Sequence, residues 1–502
     1  MRNLTLILLI IAAVSVSSCR KDFSTIPSFG QLEFSRDTVY LDTVFTNIGS
    51  ATYNLRVYNR SSDDITIPSI GLERGAGSNY RLNVDGIPGK TFENIDILAR
   101  DSIFIFVETT IDVTTVPDPL YTDRILFDTG MNQQDVDLVT LVQDANFIFP
   151  DRDPITMEIE TLTLNGEPST FQGRFLEDSE LTFTNEKPYV IYGFAAVPDG
   201  KTLTIEAGAR VHFHEDSGLM VDNGGTLKVN GTLNEKVTFE GDRLENAFST
   251  IAGQWAAIWL RSGSVENEIE HAVIKNGLIG LIVDDMTSTT TPTLDIKNSE
   301  VFNHSIHGIL GRATHITGEN LVVGSAGQAS FAGTIGGAYD FTHCTFANNQ
   351  FTHDLFSVLI NNFITFTNDM GVEETQTNDL IRANFTNCII DGANNVEFFP
   401  DRVEGSDFNF KLTNTMVRFE DLDGTFDVPE TDFSNTALYE NVIRNGFPDF
   451  RDRNSNDLII GQNSDAINQG NAAAAALVPL DILGIMRAMS PDLGAYQHII
   501  FD

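Results

Sequence analysis

Ile269-Glu270-His271-Ala272-Val273-Ile274-Lys275-Asn276 returns, altered but recognisable, as Ile296-Lys297-Asn298-Ser299-Glu300-Val301-Phe302-Asn303 and as Phe341-Thr342-His343-Cys344-Thr345-Phe346-Ala347-Asn348. Phe385-Thr386-Asn387-Cys388-Ile389-Ile390 and Leu412-Thr413-Asn414-Thr415-Met416-Val417 carry the same columns, and Asn320–Ser325 is a fainter copy. Equivalent apolar positions Ile274, Val301, Val323, Phe346, Ile390 and Val417 lie 27, 22, 23, 44 and 27 residues apart. Because 44 is twice 22, one further unit is expected near Leu359–Asn368. Short strands and Asn corners at such a period describe a solenoid, in which each unit buries its apolar face only against its neighbours. Asn suits the corners because it tolerates left-handed backbone, and His271 and His343 occupy the same column.

Moving outward, Lys201–Phe213, Gly218–Asn230 and Lys236–Gly241 are short alternating strands cut by Gly, Asn or Asp corners. Pro188-Tyr189-Val190-Ile191, Leu203-Thr204-Ile205-Glu206-Ala207-Gly208, Gly224-Gly225-Thr226-Leu227 and the Trp-centred Gly253-Gln254-Trp255-Ala256-Ala257-Ile258 resemble the first coils of right-handed parallel β-helices of the pectin-lyase-like superfamily. Ser464-Asp465-Ala466-Ile467-Asn468-Gln469-Gly470 and Asp492-Leu493-Gly494-Ala495-Tyr496 resemble the closing segment that covers the last coil in such proteins, with Asp465 in place of the usual proline. The resemblance runs from Thr161 to Asp502 and implies a β-helix over 161–430, then a C-terminal coil and cap over 431–502. Cys344 and Cys388 share one column; with a coil between them they are expected about 9–10 Å apart, too far for a disulfide.

Residues 31–145 carry a different pattern. Val39 and Leu41, Leu55 and Val57, Ile65 and Ile67, Ile103, Ile105 and Val107, and Val136 and Leu138 alternate with polar residues and are separated by turn-forming stretches. Short strands at that spacing suggest a β-sandwich, which resembles the immunoglobulin-like modules of exported bacterial proteins. The fold class expected is thus all-β: an N-terminal β-sandwich followed by a right-handed parallel β-helix with a C-terminal cap.

Ahead of the sandwich, Arg2, the apolar run Leu4–Val14 and Ser15, Ser17 and Ser18 read as an export signal over 1–18. Val16-Ser17-Ser18-Cys19 resembles the lipobox of bacterial lipoproteins, which implies lipidation of Cys19, a tether over 19–30 and an anchored rather than spanning chain. Arg20-Lys21-Asp22-Phe23 resembles in part the signals that send outer-membrane lipoproteins to the cell surface.

Seventy acidic against 31 basic residues give a formal charge of −39 over 502 residues. That charge argues against a nucleic-acid partner, and 41% hydrophobic residues argue for folded domains. Between residues 201 and 400 there are 24 acids and 10 Lys or Arg, with no basic residue over 313–381, so a polyuronate meets repulsion there. Polygalacturonase-like glycosidases resemble the chain only at Asp284-Asp285 and Ile306-His307-Gly308; Asp284, Asp285 and His307 are therefore the weak catalytic candidates, weighed against a solvated corner. His212 and His214 share a strand face and are candidate metal ligands, weighed against two exposed histidines. Asp421 and Asp423, with Asp452 and Asn454, lie in loops of calcium-binding character without the EF-hand spacing, and the carboxylate excess leaves room for structural Ca2+. No cofactor motif is present.

An address and an architecture without an assembled active site point to a non-catalytic, lipid-anchored protein of the outer membrane. Its acidic solenoid face is expected to bind a neighbouring envelope protein, in first place an outer-membrane barrel complex, or a glycan. A surface polysaccharide-degrading enzyme on the same fold is the alternative, and an adhesin a further one.

Overall fold

The computed structural model describes residues 24–286, 288–349, 356–368, 370–487 and 489–501. The export signal, Cys19 and the first part of the tether lie outside the described residues. The chain divides into two units, Met1–Asp144 and Ala145–Asp502.

The first unit is made of two sheets. One orders strands Ile26–Pro27, Ile65–Leu72, Leu120–Phe127, Gln134–Gln143 and Thr38–Phe45, with Thr91–Ile97 also beside Ile65–Leu72. The other orders Glu33–Phe34, Tyr53–Tyr58, Ser102–Thr109, Tyr80–Val84 and Ile87–Gly89. Alternation decides what each sheet buries: Ile103, Ile105 and Val107 enter a core that also holds Val39, Leu41, Ile125 and Leu138 from the opposite sheet.

The second unit is a parallel β-helix with three faces. On the first face Asn146–Ile148, Tyr189–Ile191, Arg210–Phe213, Val237–Gly241, Ala272–Lys275, Glu300–Phe302, Val322–Val323, Thr345–Asn348, Ile389–Gly392, Met416–Val417 and Ile443–Arg444 pair in sequence, all parallel. The second face carries Phe194–Val197, Gly218–Val221, Ile258–Leu260, Ile279–Asp284 and their successors; the third carries Thr202–Glu206, Thr226–Asn230, Asn267–Glu270, Leu294–Lys297 and theirs. His307–Glu319 and Ala329–Thr342 run through both of these faces without a break. Inward side chains form one core from Ile148 to Tyr439. Trp255 is wholly buried, stacks on Phe213 at 4.5 Å and donates its Nε1–H to the Lys275 carbonyl at 2.9 Å.

The corner between the third and first faces is the repeat's Asn/His column. His271, Asn298, Asn320, His343, Asn387, Asn414 and Asn441 all have left-handed backbone, with φ between 47° and 55°. Asn320 Nδ2 donates to Asn298 Oδ1 at 3.0 Å, and Asn387 Nδ2 approaches His343 Nε2 at 2.9 Å, so the corners also bond coil to coil.

The structure corrects the expectation of a separate unit near Leu359–Asn368. Thr345–Asn348 pairs directly with Ile389–Gly392, so a single coil spans the 44-residue interval. Its excess length is a hairpin, Phe363–Thr367 against Glu373–Thr377, standing outside the stack. Cys344 and Cys388 are therefore on neighbouring coils.

The C-terminal end closes in two parts. Phe426 and Phe433 pack against the core beside Phe419 and Tyr439, the rings of Phe433 and Tyr439 stacked at 4.3 Å, and so cover the final coil. The tail expected there lies instead along the first face. Leu458, Ile459, Ile482, Ala495 and Tyr496 pack on Val322 and Ala347, while Ile460, Ala466 and Leu493 pack on Ile389 and Met416. Asn320, Asn387 and Asn414 donate to the carbonyls of Leu480, Asn471 and Gln469 at 2.8–3.0 Å, so the corner column doubles as the seat of the tail.

Candidate functional site

The sequence candidates are scattered. Asp284 ends its second-face strand and is held by Arg312 through two bonds of 2.6 and 2.7 Å, with Trp259 Nε1 donating to it at 2.7 Å. Asp285 is an exposed left-handed corner whose carbonyl accepts from Thr293 and Thr314. His307 faces Ile279 whereas Asp284 faces Arg312, five residues along the same strand. About 16 Å of extended chain therefore separates His307 from Asp284. His307 is largely buried, and burial pushes its imidazole down to about 4. A salt-bridged carboxylate, a corner and a distant neutral imidazole do not form the acid–base pair that glycoside hydrolysis requires.

The expectation of two exposed histidines fails at His212. Its side chain is 4% exposed and its Nδ1 lies 3.2 Å from the Gly241 carbonyl; burial lowers its pKa. His214, two residues on, is half exposed. Asp421 accepts from the backbone N–H groups of Thr425 and Phe426, Asp423 from the Thr425 hydroxyl, and Asp452 from Asn454 N and Ser455 Oγ. In both loops these carboxylates hold the turn itself, and Asn454 contributes its backbone N–H to one of them. Among the described residues no group of three or more His, Cys, Asp or Glu is placed to hold a metal ion.

The structure does assemble a cavity, at the N-terminal end of the β-helix where the first face turns into the second. It has a volume of about 770 Å³ and its walls include Phe149, Arg152, Phe171, Tyr192, Phe194 and His214. Phe149, Tyr192 and His214 each follow the last residue of a first-face strand (Ile148, Ile191, Phe213), so the coil register stacks them. Phe149 and Tyr192 lie 4.8 Å apart, Tyr192 and His214 4.3 Å at 27°. Asp242 occupies the same column one coil further and takes His214 Nδ1 at 2.8 Å. That bond raises the His214 pKa, outweighing the opposing effect of partial burial. Phe171 and Phe194 meet edge-on at 5.6 Å across the wall. Glu215 and Asp216 supply carboxylates from the adjoining turn, while the buried Ser217 hydroxyl accepts from Gly193 N–H at 2.8 Å and donates to the Glu215 carbonyl at 3.1 Å. The site thus offers the edges of a stacked aromatic column, a hydrogen-bonded imidazole, carboxylates and a guanidinium around one space.

Only His214 was visible as a candidate in the sequence. Phe149 and Tyr192 look like ordinary strand-end aromatics until the coils are placed in register. The available signal was positional: each directly follows an apolar residue of the same face.

No family model matches the chain, and no curated protein does. Among solved structures, a family 123 glycoside hydrolase from Clostridium perfringens is similar over 22% of this chain and 25% of that chain, at 11% identity and a TM-score of 0.16. The catalytic unit of a thermostable GH87 α-1,3-glucanase from Streptomyces thermodiastaticus is similar over 72% of this chain and 62% of that chain, at 9% identity and a TM-score of 0.21. The chain spans less than two thirds of either neighbour's length, and likenesses this slight carry no argument about activity.

Proposed function

We propose that the chain is a lipid-anchored cell-envelope protein that binds a glycan in the cavity beside Tyr192 without cleaving it. The observation that carries this reading is the Phe149–Tyr192–His214 column opening onto a cavity rimmed by Glu215, Asp216 and Arg152. A sugar presents apolar C–H groups to aromatic rings and hydroxyls to carboxylate and guanidinium groups, and this cavity supplies partners for both. This cavity moves a glycan ahead of a neighbouring envelope protein as the ligand. The lipobox-like run before Cys19 supports the anchor, the two-sheet first unit serves as an immunoglobulin-like spacer, and cell-surface exposure follows the resemblance at Arg20–Phe23. The dispersal of Asp284, Asp285 and His307 supports binding over hydrolysis.

Calorimetric titration with a panel of neutral and acidic oligosaccharides tests the reading. Tyr192→Ala is expected to weaken binding by at least about tenfold, as loss of a central aromatic anchor does, with no reducing sugar released by the parent protein. Absence of any glycan ligand, or equal binding by the variant, would overturn it; turnover abolished by Glu215→Gln would put the enzyme reading in its place.

A further inference from the structure

The residues following the left-handed corners from His271 to Asn414 form an inward column: Ala272, Ser299, Leu321, Cys344, Cys388 and Thr415. Its polar members donate to nearby carbonyls, Thr415 Oγ1 to Phe385 at 3.0 Å and to Thr413 at 3.2 Å. The cysteines copy this geometry with longer bonds, Cys344 Sγ to Thr342 and Gly318 at 3.4 and 3.5 Å, Cys388 Sγ to Thr386 and Phe341 at 3.3 and 3.6 Å. Both thiols are wholly buried. Thr345 pairs with Ile389, so Cys344 and Cys388 face each other across adjacent parallel coils. Facing residues at a strand spacing of about 4.8 Å fall within the roughly 4.4–6.8 Å Cα window of a disulfide.

We propose that Cys344 and Cys388 become an intrachain disulfide when the chain folds in an oxidising compartment, stapling the coil that carries the hairpin. This rests on the exported address proposed above. The oxidant is of the disulfide class. The thiolate of one cysteine attacks the oxidant's disulfide, forming a mixed disulfide and expelling one oxidant sulfur. The second cysteine then attacks the protein-side sulfur of that bond and expels the other. One S–S bond forms, one breaks, and two electrons and two protons pass to the oxidant. Burial pushes the Cys344 thiol well above its ordinary range and closes off access, so the exchange belongs to folding, before the two coils stack.

The coil is a sensible place for a staple. It is the longest in the repeat, at 44 residues between equivalent positions, and ordering it carries the largest chain-entropy cost. The thiol hydrogen bonds given up are long and weak.

The full chain, unfolded in denaturant and refolded in a glutathione redox buffer, is alkylated under denaturing conditions and mapped by peptide mass spectrometry. The expected result is a Cys344–Cys388 cross-link and a melting temperature about 5 °C above that of the Cys344→Ser/Cys388→Ser double variant, the difference vanishing in reductant. Alkylation of both Cys344 and Cys388 after oxidative refolding would overturn the proposal, as would a Cys344–Cys388 cross-link with no thermal effect. The same mapping on protein extracted from envelopes separates the two claims: a cross-link there supports both, whereas a dithiol there combined with a cross-link in vitro overturns the oxidising address and leaves the pair's competence standing.

Discussion

Asn387 ties two coils and the C-terminal tail together through one amide. Its backbone is left-handed at φ 55°, its Nδ2 reaches His343 and the Asn471 carbonyl, and its Oδ1 accepts from Asn471 N at 2.6 Å. Asn387→Ala removes these bonds and puts a Cβ-bearing residue without local compensation in a left-handed corner. A loss of about 3 kcal/mol in urea unfolding is expected; Asn387→Gly, which keeps the backbone easy, should recover part of it. Glu397 gives the pH response its alkaline side. Buried beside the Ser357 hydroxyl and the Asn394 N–H, its carboxyl is pushed up to about 8, chiefly by desolvation. The folded state therefore keeps a proton that the unfolded state gives up near pH 4.3. This contribution makes stability greatest below that pH, decline as pH climbs towards about 8, and level off beyond. Urea midpoints should fall as pH rises from about 6.5 to 8, above the range in which buried His304, His307 and His343, pushed down to about 4, 4 and 3, contribute the opposite slope, and Glu397→Ala should flatten that fall. The Asn/His column could be read from sequence because left-handed corners admit few residue types. Glu397 could not, because nothing in its neighbourhood marks an Ala-Asn-Asn-Val-Glu stretch as buried.

Among elements, strand and corner were legible where the repeat is regular and misleading where it is interrupted. A spacing of 44 is compatible with two short coils or one long one, and periodicity alone does not distinguish them. The hairpin resolves the matter: Ile364, Phe366, Met370 and Val372 are exposed, whereas a true coil would bury such residues. Its base is held independently, Asn362 donating to the Val403 carbonyl at 2.9 Å and Asn378 to that of Ile335 at 3.0 Å. Replacing residues 364–376 with a short Gly/Ser turn should change unfolding free energy by less than about 1 kcal/mol, measured by denaturant titration. A large loss would mean that the hairpin supports the stack. The cavity was illegible for a related reason. Phe149, Tyr192 and His214 lie far apart in sequence and meet only when three coils are laid in register.

For the whole molecule, the two units differ in how they reach closure. The first closes by facing two sheets around one core, a self-contained solution that its alternating pattern announced. The second is a stack whose neighbours complete one another, so it needs added parts: aromatic rings over the last coil and a tail along the first face. A chain ending at Asn445 retains the coils but uncovers Val322, Ala347, Ile389 and Met416 together with the Asn320, Asn387 and Asn414 amides. Such a chain should aggregate or lose β-structure on warming well before the parent does, followed by circular dichroism and light scattering. Equal thermal behaviour would show that the coils stand without their tail.

The tail also imposes an order in time. The residues that clamp Asn320, Asn387 and Asn414 can seat only on corners that have already formed, so the seam of the solenoid is fastened after the coils have stacked. Completion is thereby deferred until the coils are in place, and a chain that lacks the tail residues declares itself by an open seam, available to whatever protease or chaperone surveys it.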